Sequence, residues 1–380
     1  MTDILAAKWE GSDHTFAKHH ILKTYLEAWM PIMSRQSKSL GVLQSNLLFV
    51  DGFAGPGSYS GGEDGSPILA IKTVLDHPYD FPIPVNFVFI EKDKERYDLL
   101  KTAIENIKQL TDESPKIKSI RVINDDCEII LNRIIDEAEK SKNKVGPALV
   151  FLDQFGWSDI PMDLIKKIMC HSECEVFSYL NWDGMNRFLT DQSKHPAISR
   201  AFGGNEWKPV LEFPPDEKPL FMLNTYKTAL KNKAGSKYVW HFAMCNEDDK
   251  LIYWLFFCTN KLRGLEEMKK AMYRVDQSGG FRFSDKNDPA QLSLFKNYNE
   301  DELAEELFST FQGKTISVFE IKEFVLTETP AYLYKSVLRE LEGNDKIEVK
   351  LAISGKRIKG TFPEDQINNI KVKFSPNTLF

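Results

Sequence analysis

Apolar positions first recur at helical spacing over residues 16–33 (FAKHHILKTYLEAWMPIM), with Asp13 or Thr15 placed to cap the helix. The pattern then changes. Leu47-Leu48-Phe49-Val50 is a short unbroken apolar run closed by Asp51 and a glycine-rich turn, which is how a strand buried on both faces of a parallel sheet reads. The alternation repeats down the chain. Helices are expected at 67–77, 94–109, 127–141 and about 161–170, and strands at Val85–Ile90, Ile120–Ile123, Ala148–Leu152 and Glu175–Leu180. Five strands separated by helices with short joints predict an α/β class and a doubly wound, Rossmann-like parallel sheet. Tyr238–Cys245 and Leu251–Thr259, divided by Asn246-Glu247-Asp248-Asp249-Lys250, predict an antiparallel hairpin at its C-terminal side. Such a late hairpin is the methyltransferase variant of the doubly wound fold, not the dehydrogenase one. Residues of about 184–232 have weaker periodicity and read as an insertion near the substrate.

The pattern shifts again after Gly279-Gly280. Residues 281–298 read as a linker or extended arm. Beyond it come a helix at 300–311, a short extended piece at Thr315-Ile316-Ser317 and a helix Val318–Leu326. A third helix enters through Thr329-Pro330 and runs over Ala331–Leu341. Strands at Ile347–Ile353 and Lys356–Phe362 would turn around Ser354-Gly355. Three helices and a two-stranded wing predict a winged helix-turn-helix domain over 300–365. In such a domain the third helix enters the major groove and the wing lies along the backbone. Here that helix offers Tyr332, Lys335 and Arg339 on one face and Leu333, Val337, Leu338 and Leu341 to the core. The wing adds Lys350, Lys356, Arg357 and Lys359, while Glu340 and Glu342 would oppose phosphate.

Bulk properties narrow the picture a little. With 380 residues two domains are expected. The net charge of −6 argues against a chain coated in nucleic acid but permits one basic face. The five cysteines are odd in number and mostly in apolar runs, as in a reducing compartment. Cys170-His171-x-x-Cys174 lacks the second ligand pair that zinc needs, so no metal is expected. Without a signal-peptide pattern or an apolar run of ~20 residues, a cytoplasmic protein that does not span a membrane is expected. No Ser-His-Asp constellation, P-loop or HExxH motif is present.

The chemistry lies at the strand ends. In Asp51-Gly52-Phe53-Ala54-Gly55-Pro56-Gly57 the glycines let the backbone approach a ligand and offer amides to it. A dinucleotide site would want three spaced glycines for a pyrophosphate. The acidic strand end here suits an ammonium group instead, as in the methionine part of S-adenosylmethionine. Glu91 is placed to accept both ribose hydroxyls, and one side chain of Asn124-Asp125-Asp126 to meet the adenine amino group. This assigns Asp51, Phe53, Ala54, Gly55, Gly57, Glu91, Asp125 and Asp126 to the cofactor. Asp153-Gln154-Phe155-Gly156-Trp157 stands where amino-group methyltransferases carry Asp/Asn-Pro-Pro-aromatic. Asp153 would hold a target nitrogen, with Phe155 or Trp157 stacking on a base and Gln154 replacing the first proline. His14, Lys18, His19 and His20 cluster before the first strand, where Lys18 is a candidate for an anionic group. Arg187, after the fifth strand, is a second such candidate.

These residues resemble the three-Cys-motif partner family. The resemblance is carried by Lys18, Tyr25 and Trp29, by FVDGFAGPGSY (49–59) with Gly65-Ser66-Pro67, and by FIEKD (89–93). It continues through FLDQFGW (151–157), Asn186-Arg187-Phe188 and MYRVDQSGGFRF (272–283). It covers most of residues 10–290 and implies a methyltransferase fold over 1–290, S-adenosylmethionine as cofactor, and a three-Cys-motif, radical-SAM-like protein as partner. Two functions stay open. One is an S-adenosylmethionine-dependent methyltransferase that modifies a nucleobase in nucleic acid. The other is a methyltransferase-like subunit, weakly active or inactive, that binds or regulates the radical-SAM-like partner.

Overall fold

The computed structural model of the chain describes residues 13–39, 47–140, 145–276, 281–284, 300–351 and 357–375. Lys356, the Ser354-Gly355 turn and most of the 281–298 arm lie outside the described residues. The chain divides into two compact units, Met1–Val275 with Arg282–Asp288, and Asp276–Phe281 with Pro289–Phe380.

The first unit is built on a sheet. Its strands are β1 (Leu47–Asp51), β2 (Val85–Ile90), β3 (Ile117–Ile123), β4 (Ala148–Leu152), β5 (Cys174–Asn181), β6 (Tyr238–Cys245), β7 (Leu251–Thr259) and β8 (Arg282–Ser284), in the order β3-β2-β1-β4-β5-β7-β6-β8. The first five are parallel, and β7 runs antiparallel to both β5 and β6. This is the doubly wound, Rossmann-like methyltransferase fold that the apolar runs predict. Every residue of β4 is buried, as expected of a strand covered on both faces. Where the expected linker begins, β8 instead pairs parallel with β6 and extends the sheet. Three residues with mixed burial carry too little pattern to be read as a strand.

The chain winds outward from β1 to β3 and then returns to β4 beside β1. That switch leaves a crevice at the C-terminal ends of β1 and β4. One face is covered by α1 (Asp13–Ser39), α2 (Ser66–Leu75) and α10 (Leu262–Val275). The buried side of α1 carries Ile21, Leu22, Tyr25, Leu26, Trp29 and Met33 at helical spacing. Between α2 and α10 the chain forms α3 (Lys94–Glu105), α4 (Lys108–Asp112), α5 (Cys127–Lys140), α6 (Met162–Met169), α7 (Trp182–Asn186), α8 (His195–Phe202) and α9 (Lys218–Asn232). The stretch 184–232, expected as a substrate-side insertion, adds Phe202, Trp207, Met222 and Tyr226 to the core shared with α6 and β4. Its 3-10 turns and short helices hide the periodicity.

An ionisable group sits deep in this unit. Glu175 on β5 is buried and accepts hydrogen bonds from the Tyr25 hydroxyl (2.5 Å) and Thr259 Oγ1 (2.7 Å). Burial pushes its carboxyl up to about 7. A raised carboxyl favours the folded state while protonated, so its contribution is full below about pH 4.5 and fades as pH rises through about 7. Relative to Glu175→Gln, the wild type should lose on the order of 2–3 kcal/mol between pH 5 and 8. Urea midpoints for both proteins across that range check this, and parallel curves would contradict it.

The second unit comprises α11 (Glu300–Phe311), β9 (Thr315–Ser317), α12 (Val318–Glu328), α13 (Tyr334–Gly343), β10 (Ile347–Leu351) and β11 (Ile370–Phe374). It is a winged helix around Leu307, Ile321, Val337, Leu341 and Phe374. Ser317 and Glu320 form a capping box at the start of α12. Two expectations change. The strand facing β10 is Ile370–Phe374, not Lys356–Phe362, and β9 pairs on its other side. Ile370, Val372 and Phe374 alternate inward with Lys371 and Lys373, while residues 357–361 hold turns. The third helix starts at Tyr334, after its N-cap Leu333 (φ −89°, ψ 51°), and not at Ala331. Leu333 is therefore exposed instead of facing the core.

Candidate functional site

The crevice holds a cleft of about 490 Å³ lined by Gly52, Phe53, Glu91, Asp126, Cys127 and Phe155, with Lys92, Asp93, Lys94, Arg96 and Asp159 around them. A larger groove of about 680 Å³ runs along β3 at the sheet edge, away from the glycine turn and Glu91. The smaller one is lined by Glu91, Asp126 and the start of the glycine turn.

The cleft's floor is backbone. A Cβ on Gly52 would stand 2.5 Å from Cys127 Sγ and 2.9 Å from Leu152 Cδ2, so a larger residue there would displace the side chains that α5 and β4 pack against the turn. Gly57 (φ +83°) faces Leu100 and Ala103 on α3, so it packs the turn against that helix. Ala54 donates its N–H to the Ile90 carbonyl (2.9 Å), which fastens the turn to β2. The Gly55 amide donates to Glu91 Oε2 (2.8 Å), and the Asp93 amide to Oε1 (2.8 Å). Glu91 is thus a buried carboxylate fixed at the cleft wall, with lone pairs left to accept from hydroxyls. Asn124 pins the same segment through the carbonyls of Glu91 and Lys92 (2.9 and 3.0 Å).

Asp126 lies across from Glu91 and takes an ion pair from Lys92 (3.1 Å) and an N–H from Glu128 (2.9 Å). Burial opposes the shift, but these partners outweigh it and hold its carboxyl below the ordinary range. Asp125 accepts the Asp126 amide and stands 3.8 Å from Arg133, so its carboxylate braces the loop. Asp51 does not line the cleft. It is buried and accepts from Ser66 Oγ (2.6 Å) and the Phe53 amide (3.1 Å), and burial raises it to about 7. Its place is under the turn, where it sets the turn's shape.

The residues after β4 separate into different roles. Asp153 pairs with Lys18 of α1. Tyr59 and Tyr179 stand close enough for its charge to add to burial in raising their hydroxyls. The His19 ring is 5.8 Å from that of Tyr59, and burial, then Lys18, brings it down to about 3, so it is neutral. Lys18, His19, Tyr59, Asp153 and Tyr179 therefore form a polar cluster beside the cleft. Lys18, expected to meet an external anion, answers the chain's own Asp153. Gln154 is buried, and both ends of its amide are hydrogen-bonded to backbone. Its Nε2 donates to the Tyr179 carbonyl (3.2 Å) and its oxygen accepts from Asp159 and Ile160 amides (2.8 and 3.2 Å). It shapes the loop rather than reaching a substrate. Phe155 is exposed and lines the cofactor-sized cleft, with the Arg96 guanidinium 5.7 Å from its ring. Trp157 is buried in the core, so it is not free to stack on a base.

The other candidates are not among the residues that line the cleft. Arg187 is exposed and pairs with Asp183 one turn earlier on α7. In the second unit Lys335 pairs with Glu364 (2.5 Å), Arg339 donates to the Gly360 carbonyl (3.1 Å), and Arg357 pairs with buried Glu342. Arg357, expected as a phosphate contact, instead holds its own loop. Among the described residues no group of three or more His, Cys, Asp or Glu could hold a metal ion, and no helix is long and apolar enough to cross a membrane. Sequence reasoning gave no role to Lys92, Arg96 and Asp159 on the cleft side or to Tyr59 and Tyr179 in the polar cluster, and it named Gly52 and His19 within motifs without assigning them to the site. Tyr59 and Gly52 stood inside a motif that was read, whereas Arg96 and Tyr179 had no signal beyond their places on α3 and β5.

Residues 275–352 match the GMT-like wHTH domain family. No curated protein matches the chain. Among solved structures, the chain is similar to Trm1 from Pyrococcus horikoshii in complex with S-adenosyl-L-methionine, at 12% identity and a TM-score of 0.32, over 67% of this chain and 58% of that one. It is similar to the METTL16 MTase domain at 13% identity and TM-score 0.29, over 59% of this chain and 64% of the other. A third is a human methyltransferase 10 domain containing protein, at 11% identity and TM-score 0.27, over 58% and 74%. Likenesses this shallow add nothing to the strand order, from which the fold is read.

Proposed function

We propose that the chain is an S-adenosylmethionine-dependent methyltransferase that acts on nucleic acid. The observation that carries the proposal is Glu91, a buried carboxylate locked by two backbone amides at the wall of a cleft that Gly52 and Phe53 also line. Such a wall accepts a ribose diol. On this reading Gly52–Gly55 pass beneath the methionine part and Asp126 meets the adenine edge. Phe155 covers the adenine face, and Asp153, in its polar cluster, holds the acceptor nitrogen. The cofactor supplies an electrophilic methyl group; the chain's own task is to hold the acceptor lone pair in line and to exclude water. The nucleic-acid substrate is supported by the winged-helix unit, and a nucleobase nitrogen by the position of Asp153 after β4.

The test is transfer of tritium-labelled methyl groups from S-adenosylmethionine to bulk tRNA, ribosomal RNA, duplex DNA and protein by the full chain. Label in a nuclease-sensitive fraction supports the proposal; label in protein alone, or in none, contradicts it. One observation favours the second reading, a cofactor-binding subunit of a three-Cys-motif, radical-SAM-like protein. Lys18 occupies Asp153 and Gln154 is tied to backbone, so neither offers an open acceptor contact in this arrangement. On that reading the label stays on the cofactor while binding persists, and the chain co-purifies with its partner.

A further inference from the structure

The second unit distributes its cations unevenly. At the third helix and the loop after β10, Lys335 pairs with Glu364, Arg339 with the Gly360 carbonyl, Arg357 with Glu342, and Lys359 with Asp345. The outer face of the three-stranded sheet is built differently. The antiparallel register sets Lys350 directly opposite Lys371, and Thr315 and Glu348 flank Lys373 on either side. Lys373 and Lys350 are exposed, and Lys371 is partly so. Lys371 and Lys373 stand two residues apart on one face, a separation of about 6.8 Å. Like charges placed directly opposite across antiparallel strands destabilise a sheet. Two carboxylates lie near, Glu348 paired with Lys350 and Glu320 at 4.0 Å from Lys371. Exposed Lys314 adds a further cation at the start of β9, where its carbonyl accepts from the Phe374 amide. No apolar residue points outward from the paired positions of this face, which a protein interface would want at its centre.

We infer that the outer face of the β9–β11–β10 sheet, through Lys350, Lys371 and Lys373, binds the sugar–phosphate backbone of a nucleic acid, and that the third helix is not the main contact. This deepens the nucleic-acid part of the function proposed above and does not depend on the cofactor. The lysines supply charge without reading bases, so the contact positions a polymer and does not select a sequence. The repulsion between Lys350 and Lys371 is relieved when a phosphate lies between them.

The test is fluorescence anisotropy of the full chain with a labelled duplex DNA and a labelled RNA hairpin, without cofactor, from about 50 mM salt upward. Binding of at least one polymer is expected. The triple change Lys350→Gln, Lys371→Gln, Lys373→Gln should weaken it more than about tenfold and flatten the slope of log affinity against log salt by about 2.7, at 0.9 per lost phosphate contact. Replacing the same three by arginine should preserve affinity, and Lys335→Gln should leave it within about twofold. Glu348→Lys adds a cation to the same face and should tighten binding and steepen the slope by about 0.9, so the face is still tested if the triple variant misfolds. The inference is overturned by wild-type binding in the glutamine variant, by unchanged affinity in Glu348→Lys, or by loss of binding through Lys335→Gln. Absence of binding to either polymer overturns it too, as does equal binding of polyglutamate, which would make the face a dock for acidic protein. All of these outcomes leave cofactor binding, measured separately by calorimetry, untouched.

Discussion

Glu91→Ala should weaken S-adenosylmethionine binding by two orders of magnitude or more. Two ribose hydroxyls would lose a charged acceptor, at about 1.5–3 kcal/mol each. Each 1.4 kcal/mol is about tenfold in affinity. The same change frees the Gly55 and Asp93 amides that the carboxylate holds at 2.8 Å, so the glycine turn loses its anchor as well. Glu91→Gln keeps one acceptor oxygen and should fall between the two. Calorimetric titration with S-adenosylhomocysteine reads all three. Glu91→Ala binding within about threefold of wild type would remove the ribose assignment. Thermal unfolding run in parallel separates a lost contact from a lost fold, since Glu91 sits at a strand end and outside the main apolar cluster.

The second large effect falls on transfer and spares binding. Asp153→Ala should lower methyl transfer by about 100-fold or more, the scale on which misplacing a reacting group acts, while cofactor affinity stays within about twofold. It also strips the nearly buried Lys18 ammonium of its partner, which destabilises the first unit by roughly 1–3 kcal/mol. Asp153→Asn retains an oxygen for Lys18 and for an acceptor amine. It should restore most of that stability and part of the activity. Turnover at saturating S-adenosylmethionine, with stability from urea unfolding, distinguishes the two losses. Wild-type turnover in Asp153→Ala would make the residue a clamp for α1 and nothing more.

The parts of this molecule that a reader of the sequence can see are those where one interaction dominates locally. Unbroken apolar runs such as Ala148–Leu152 mark buried strands because a sheet covered on both faces tolerates nothing else. Glycines at a strand end mark a tightly packed turn, and at Gly52 the Cys127 and Leu152 side chains take the space a Cβ would fill. Partnerships between distant side chains leave no such trace. Lys18 and Asp153 are 135 residues apart, so a lysine that looked ready for an external anion turns out to be an internal counter-ion. Arg357 and Glu342 repeat the case in the second unit, where an acid read as repelling phosphate is the arginine's own partner. Trp157 stood beside an aromatic motif, but only the core packing tells that it is buried and that Phe155 is the exposed ring. The wing failed for a different reason. Lys356–Phe362 follows a plausible turn, and the alternation that truly builds the strand, Ile370, Val372 and Phe374 against Lys371 and Lys373, lies one loop later.

Everything proposed for the first unit depends on an adenosine-bearing sulfonium cofactor seated where β1, β2 and β4 end. A crystal structure of the full chain grown with saturating S-adenosylhomocysteine puts that placement to the test. The ribose diol is expected on the Glu91 carboxylate, the amino-acid end over Gly52–Gly55, and the adenine between Asp126 and Phe155. A ligand bound elsewhere, such as in the groove along β3, or a cleft left empty at saturation, would contradict it.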